Sequence, residues 1–249
     1  MHMNEDSLPR TAVITGASSG IGLGLAAAFL QRGYNVVGNG RDAARLEAAR
    51  AQLGRPGNFA TVAGDIGDAA TATELFAVAE QRFGSADVLV NNAGIFLPKP
   101  FADYTGDDLA ALLHTNLKGF FHATQAAVRH MRPRRRGHIV TITASIAAQP
   151  NASVPAALPI LIKGGLNHAT RALALELAPH NIQVSAVAPG IIDTPLYTPD
   201  MHDFLKTLQP AGRIGSVRDI ADAVLHLSEA RFTTGAVLAV DGGMGAGKW

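Results

Sequence analysis

The clearest chemical signal in this 249-residue chain is the run Thr15-Gly16-Ala17-Ser18-Ser19-Gly20-Ile21-Gly22. It stands between a short β-rich run and an apolar-striped helical pattern. Glycines at such a place let the backbone turn tightly and approach a phosphate. The N-terminus of the following helix offers unpaired N–H groups and the positive end of its dipole. Ser18 and Ser19 add hydroxyl donors. The chemistry this predicts is the cradling of a dinucleotide pyrophosphate by Gly16, Ser18, Ser19, Gly20, Ile21 and Gly22. The alternative is a tight strand–helix turn without a ligand.

The residue that ends the second strand separates NAD from NADP. An acid there would accept the ribose 2′-hydroxyl and repel a 2′-phosphate. Here the segment reads Val37-Gly38-Asn39-Gly40-Arg41-Asp42, with Gly40 in the acid's place and Arg41 after it. A guanidinium suits a phosphate by charge and by fork geometry. NADP(H) is therefore expected, with NAD(H) second. Asp42 leaves two alternatives, since it could pair with Arg41 or turn to the ribose. A second basic feature, Arg132 to Arg136, complements a helix dipole or, alternatively, recognises phosphate. With no cysteine, disulfides, thiolate zinc sites, iron–sulfur clusters and a cysteine nucleophile are excluded. None of the 9 histidines stands at ligand spacing with a carboxylate, so no metal site is expected.

These groups need a scaffold, and the chain's periodicity supplies one. Strands are expected at Thr11–Thr15, Tyr34–Gly38, Phe59–Ala63, Val88–Val90, His138–Thr143, Gln183–Ala188 and Ala236–Val240. Helices are expected at Ile21–Arg32, Asp42–Leu53, Ala69–Phe83, Leu158–Leu177 and Val217–Ser228. Asp107–Met131 reads as one long helix or two joined ones. Strands alternating with helices of this length predict an α/β fold: a single-domain, Rossmann-type, doubly wound parallel sheet with helices on both faces. Residues 1–10 read as an N-terminal tail and 11–249 as one domain. The stretch Pro189 to Gly215 is long for such a connection, and residues 190–215 are expected to form a substrate loop.

Composition narrows the function classes. Lys and Arg number 21 against 20 Asp and Glu, a formal charge of +1, which favours neither nucleic acid nor a membrane surface as partner. No apolar run approaches the ~20 residues that span a bilayer. A cytoplasmic protein acting on a small molecule is the expectation.

The Thr-Gly-x-x-x-Gly-x-Gly spacing resembles the short-chain dehydrogenase/reductase family, and further matches follow in order. Asp65-Ile66 resembles its adenine contact, and Asn91-Asn92-Ala93-Gly94 its Asn-Asn-Ala-Gly motif. Asn116 with Gly119 matches the helix of the catalytic Asn. Lys163 with Gly164-Gly165 matches the active-site Lys. Pro189-Gly190, with Ile192 and Thr194, matches the loop over the nicotinamide. Arg213, Gly215, Asp219-Ile220-Ala221, Thr234-Gly235 and Asp241-Gly242-Gly243 match the C-terminal pattern. The resemblance spans roughly Thr11 to Gly243. It implies a nicotinamide-dependent oxidoreductase that binds cofactor through these residues and Asn92, Ala93, Gly94 and Lys163. It also implies a homodimer or homotetramer packed through the Lys163 helix.

The match fails where the family keeps its acid. There a Tyr four residues before the Lys protonates the carbonyl oxygen, and a Ser polarises it. Here that position is Pro159, which donates no proton, and the three tyrosines are Tyr34, Tyr104 and Tyr197. The Ser position falls at Ala144. Ser145 comes one place late, and strand alternation turns it away unless a bulge re-aims it. Asn116, Ser145 and Lys163 are the candidate catalytic residues. Tyr197, then Tyr104, are the candidate substitute donors.

Overall fold

The computed structural model describes residues 9–54 and 57–247. Residues 1–8 of the expected N-terminal tail lie outside the described residues. The elements alternate throughout: β1 Thr11–Ile14, α1 Gly20–Gln31, β2 Asn35–Gly40, α2 Ala43–Leu53, β3 Phe59–Ala63, α3 Ala69–Phe83 and β4 Val88–Asn91 come first. Then follow α4 Gly106–Leu112, α5 Gly119–Arg134, β5 Gly137–Ile142, α6 Ala157–Leu177, β6 Ile182–Pro189, α7 His202–Lys206, α8 Val217–Glu229 and β7 Val237–Val240. The strands form one parallel sheet in the order β3-β2-β1-β4-β5-β6-β7. After β3 the chain crosses back to lay β4 on the other side of β1. The loops leaving β1 and β4 therefore diverge, and a crevice opens at their carboxyl ends.

A parallel sheet is covered on both faces, so its strands are apolar without alternation. Every residue of β1, β4 and β5 is buried. Neighbouring strand residues serve opposite faces. Ile14, Val36, Val90 and Val140 pack with Leu25 and Phe29 of α1 and Ile220 and Val224 of α8. Val13, Val37, Leu89 and Ile139 pack with Leu75 and Phe76 of α3, Ala123 and Met131 of α5 and Leu177 of α6.

The region expected as one helix or two is a continuous helix with a wide turn inside it. α4 runs into a π-helical turn at Leu113–Lys118, and that turn runs into α5. α4 starts in a capping box, with the Thr105 hydroxyl accepting from Asp108 N and the Asp108 carboxylate accepting from Thr105 N. At the far end, Arg135 closes α5 in the left-handed region at φ 50°. The basic cluster there serves the scaffold. Arg134 donates to Gly84 O at 2.8 Å, Arg135 to Pro179 O at 2.8 Å, and Arg136 pairs with the buried Asp87 at 3.0 Å.

Between β6 and α8 the long loop is anchored at both ends. Ile192 bridges Gly215, and α7 and a short turn at Pro199–Met201 lie between. Buried Gln209 ties the base together, accepting from Ile191 N at 3.2 Å and donating to Arg213 O at 2.8 Å. Among the described residues, no helix is long and apolar enough to cross a membrane.

The core makes a stability prediction. Leu89 on β4 is fully buried. Leu89→Ala is expected to lower unfolding free energy by about 2–5 kcal/mol in urea titration. A loss under about 1 kcal/mol would contradict the packing described.

Candidate functional site

Two loops meet over the crevice and lock each other. The Thr15 hydroxyl accepts from Asn92 N at 3.0 Å and Ala93 N at 2.9 Å. The Asn92 amide donates to Thr15 O at 2.9 Å and Gly16 O at 3.2 Å. Such contact leaves no room for side chains. A Cβ on Gly16 (φ +68°) would lie 3.0 Å from Ala93 Cα, and one on Gly22 would collide with Gly16 O and the Asn92 amide. Gly16 is glycine for its positive φ and Gly22 for its closeness.

The N-terminus of α1 points into this crevice without a side-chain cap. Ser19 stands at the cap position without a capping bond, and no acid occupies the first turn. A helix start normally gains such a cap, because its first N–H groups lack partners. Here they stay available beside Ser18. A Cβ on Gly40 would come within 3.3 Å of the Ser18 hydroxyl, so the serine faces the end of β2. Exposed Arg41 follows, and among the described residues no carboxylate forms an ion pair with it. Asp42 is engaged elsewhere: its carboxylate caps α2, accepting from Arg45 N at 3.0 Å. Thr194 of the long loop lies against Gly20, at 3.5 Å from a Cβ placed there. The loop thus reaches over the glycine turn.

Asp65 and Ile66 take different roles. Asp65 accepts from Gly67 N at 2.8 Å and pairs with His114 at 3.2 Å. The buried Ile66 side chain packs on Gly119, which has no room for a Cβ there. His114, pointed away from Asn116 on the helix, thereby joins the Asp65 corner.

Deeper in the crevice Gly94, Asn116 and Lys163 come together. A Cβ on Gly94 would lie 2.9 Å from Asn116 Oδ1 and 3.4 Å from Lys163 Nζ. Asn116 sits in the π-helical turn, a feature often found at functional sites. It is 3% exposed, accepts from Ile95 N at 2.9 Å and donates to Ile95 O at 3.0 Å. Lys163, on α6, donates to Ile142 O at 2.8 Å. Desolvation, with no carboxylate to offset it, lowers its pKa to about 8. Three further polar residues line this cleft, Thr15, Asn91 and Thr141. Thr15 and Asn91 open motifs read in the sequence but were given no role of their own, and Thr141 was missed; its only signal was a polar residue near the carboxyl end of a buried strand.

Ser145 is not brought to this cleft. It begins a short turn after extended Ala144 (φ −164°) and packs under Gly245, its Cβ 3.7 Å from a Cβ placed there. It lies on the side away from the cleft residues, against Gly245. The hydroxyl of Thr143 turns to Val187 O at 3.3 Å. Two of the tyrosines are occupied as well. Tyr104 donates to Leu97 O at 2.6 Å and accepts from Lys99 N at 3.3 Å, and Tyr34 packs edge-on against Phe29. Burial pushes the Tyr197 phenol above its ordinary pKa, which makes it a weaker acid. Burial also lowers His138 to about 4, so it is neutral at pH 7. Pro159 lies buried in the first turn of α6, where the lack of an N–H breaks no bond.

The family described as enoyl-(acyl carrier protein) reductase matches residues 16–245. The gluconate 5-dehydrogenase of Gluconobacter oxydans (strain 621H) is 35% identical over 242 residues, covering 94% of this chain and 93% of its own. The chain belongs to the short-chain dehydrogenase/reductase family. Solved structures agree in fold. ElxO with NADP bound has a TM-score of 0.91 at 27% identity, covering 96% of this chain and all of its own. The 3-ketoacyl-(acyl-carrier-protein) reductase of Brucella melitensis, complexed with NADH, has a TM-score of 0.89 at 32% identity, with 95% and 98% covered.

In this short-chain dehydrogenase/reductase a small apolar cluster adjoins the Ile95 brace: Leu112, Leu158 and Ile162, with Ile95, Leu97 and Tyr104 packed on it. Asn116→Ala is expected to lose about 1–3 kcal/mol, because it orphans both polar groups of Ile95. Hydrogen exchange at the Ile95 amide should speed up. An unchanged exchange rate would contradict the brace.

Proposed function

We propose that this chain is an atypical NADP(H)-dependent oxidoreductase that moves hydride between the nicotinamide and a small or medium organic substrate. One observation carries this reading: the uncapped glycine cradle, with Arg41 at its rim, opens onto the same crevice as Asn116 and Lys163. These residues fit a phosphorylated dinucleotide. Gly16, Gly20 and Gly22 keep side chains out of the phosphate path, and Ser18, Ser19, Gly20 and Ile21 present donors to it. Arg41 would hold the 2′-phosphate. Asp65 and the backbone of Ile66 would meet the adenine, and Asn92, Ala93 and Gly94 the adjoining riboses. Lys163 would hold the nicotinamide ribose. Pro189, Gly190, Ile192 and Thr194 would close over the nicotinamide. The bound cofactor supplies or accepts a hydride. The NADP-bound relative supports this assignment.

Pro159 and Ala144 shape the choice of substrate. A positioned general acid contributes roughly 10²–10⁴-fold, or about 3–5 kcal/mol of barrier. Without the tyrosine, carbonyl reduction is slowed. An imine already protonated, or a conjugated C=C that takes hydride at carbon, needs less help. The same two substitutions support a second reading, a non-catalytic NADP(H)-binding sensor or silent subunit. On either reading we place the protein in the cytoplasm as a homodimer or homotetramer. The exposed Leu161 and Leu175 of α6 support self-association.

Fluorescence titration should show NADPH binding more tightly than NADH. Arg41→Ala is expected to weaken NADPH by roughly 10–100-fold, the worth of a charge-assisted bond, and to leave NADH unchanged. Equal loss of both cofactors would remove Arg41 from the 2′-phosphate. Cyclohexanone, 2-methyl-1-pyrroline and 2-cyclohexen-1-one, offered with NADPH, test the three acceptor classes. Turnover should be best on the imine or the enone. Absence of turnover on all three, by protein that binds NADPH, overturns the enzyme reading. Pro159→Tyr with Ala144→Ser should then create activity.

A further inference from the structure

The cleft at Lys163 is narrow, with about 10 Å³ for the centre of a water molecule. Lys163 is its one titratable lining residue among the described residues. The polar groups presented to it are Thr15, Asn91, Asn116 and Thr141, and none carries charge. Among the described residues only one N–H of the ammonium has a protein acceptor, Ile142 O, and no carboxylate stands within ion-pair distance. Two donors are therefore left to act.

The cleft also holds two orphans. Asn91 Oδ1 and Thr141 Oγ1 have no hydrogen-bond partner, although the residues are 6% and 1% exposed. Thr15 and Asn116 are satisfied by the backbone of the neighbouring loop. Buried polar atoms of this kind are almost always partnered, often by an ordered water with about three bonds. The space suits one such molecule.

We propose that Lys163 is the proton donor of this site, and that one water held by Asn91 Oδ1 and Thr141 Oγ1 returns the proton to it. This deepens the oxidoreductase reading and rests on it. Among the described residues the other candidate donors are less suited: burial holds the Tyr197 phenol above its ordinary pKa. The Tyr104 hydroxyl is spent on Leu97 O, and Ser145 lies beneath Gly245. The substrate's C=O, C=N or conjugated C=C accepts hydride at carbon as the reduced nicotinamide is oxidised. The multiple bond's electron pair moves to the far atom. One Lys163 N–H bond breaks, its electrons stay on nitrogen, and the proton joins that far atom. The neutral amine then takes a proton from the water, which regains one from solvent.

The first readout needs no turnover. Competitive acetylation across roughly pH 6 to 11, read by mass spectrometry on the Lys163 peptide, should give a midpoint near 8. A midpoint at the ordinary lysine value near 10.5 overturns the proposal. Kinetics with NADPH and the ketone and enone above, whose reduction takes up a proton, give the second. Lys163→Arg keeps the charge but cannot release a proton. At saturating NADPH it should lose roughly 10²-fold or more in kcat, whatever it loses in cofactor affinity. Native kcat should also fall as pH rises through about 8, as the ammonium is lost. Thr141→Val should lower kcat by about 10-fold with NADPH binding intact. Should Lys163→Arg bind NADPH and turn over within about threefold of native, the lysine is only a ribose clamp and the proposal fails. Unchanged kcat in Thr141→Val overturns the water's part. Failure of the native chain to bind NADPH overturns the oxidoreductase reading itself.

Discussion

The clasp between Thr15 and Asn92 is the contact on which the crevice depends. Four hydrogen bonds join the loops that leave β1 and β4, and three of them use a side chain against backbone of the other loop at 3.0 Å or less. The strand order separates those loops at the switch point, and the clasp draws them back into contact. That contact is why Gly16 and Gly22 have no side chain. It is also why the start of α1 faces a polar, concave surface instead of packing into the core. A helix N-terminus without a cap would be a defect elsewhere. Here it leaves the first N–H groups of α1 open to the crevice.

A second constraint comes from the π-helical turn between α4 and α5. One helix must pack its length along the sheet and also present Asn116 to the backbone at Ile95. The wide turn widens the coil at that place while the hydrogen-bonded helix continues on both sides. Asn116 then pins Ile95 through both of its backbone groups, which sets Gly94 against Lys163. The inner end of the crevice is held by polar bonds to backbone. Phe120, Ile142 and Leu166 line the cleft beside the polar groups. Burial there desolvates Lys163 with no counter-charge to offset it, so its proton is held less tightly than a surface lysine's.

Much of this was legible in the order of residues. Periodicity located all seven strands, because a buried parallel strand is a short apolar run whatever its neighbours are. The glycine turn and Lys163 were legible for a related reason, since each is a local motif with its flanks in sequence. The missing tyrosine was legible at once, because substituting Pro159 changes chemistry and not merely position. What the chain alone left open concerns long-range partners. Asp42 had two possible fates, and only the start of α2 assigned it to Arg45 N. Ser145 had two possible faces, and the extended backbone at Ala144 sent it beneath Gly245. The Arg132–Arg136 cluster had two readings, and three of its guanidiniums tie α5 to loops distant in sequence.

The sequence by itself determined the alternation of strands and helices, the position of the glycine turn and the absence of a tyrosyl acid near Lys163. Each of these is set by residue type within a few positions. Tertiary structure alone decided that Asn91, Thr141 and Lys163 line one narrow cleft and that two polar atoms there go unpaired. Those residues lie on β4, β5 and α6, and no local spacing relates them. Burial and pairing are properties of the packed assembly, because the free energy of a polar group depends on what surrounds it and not on what precedes it in the chain.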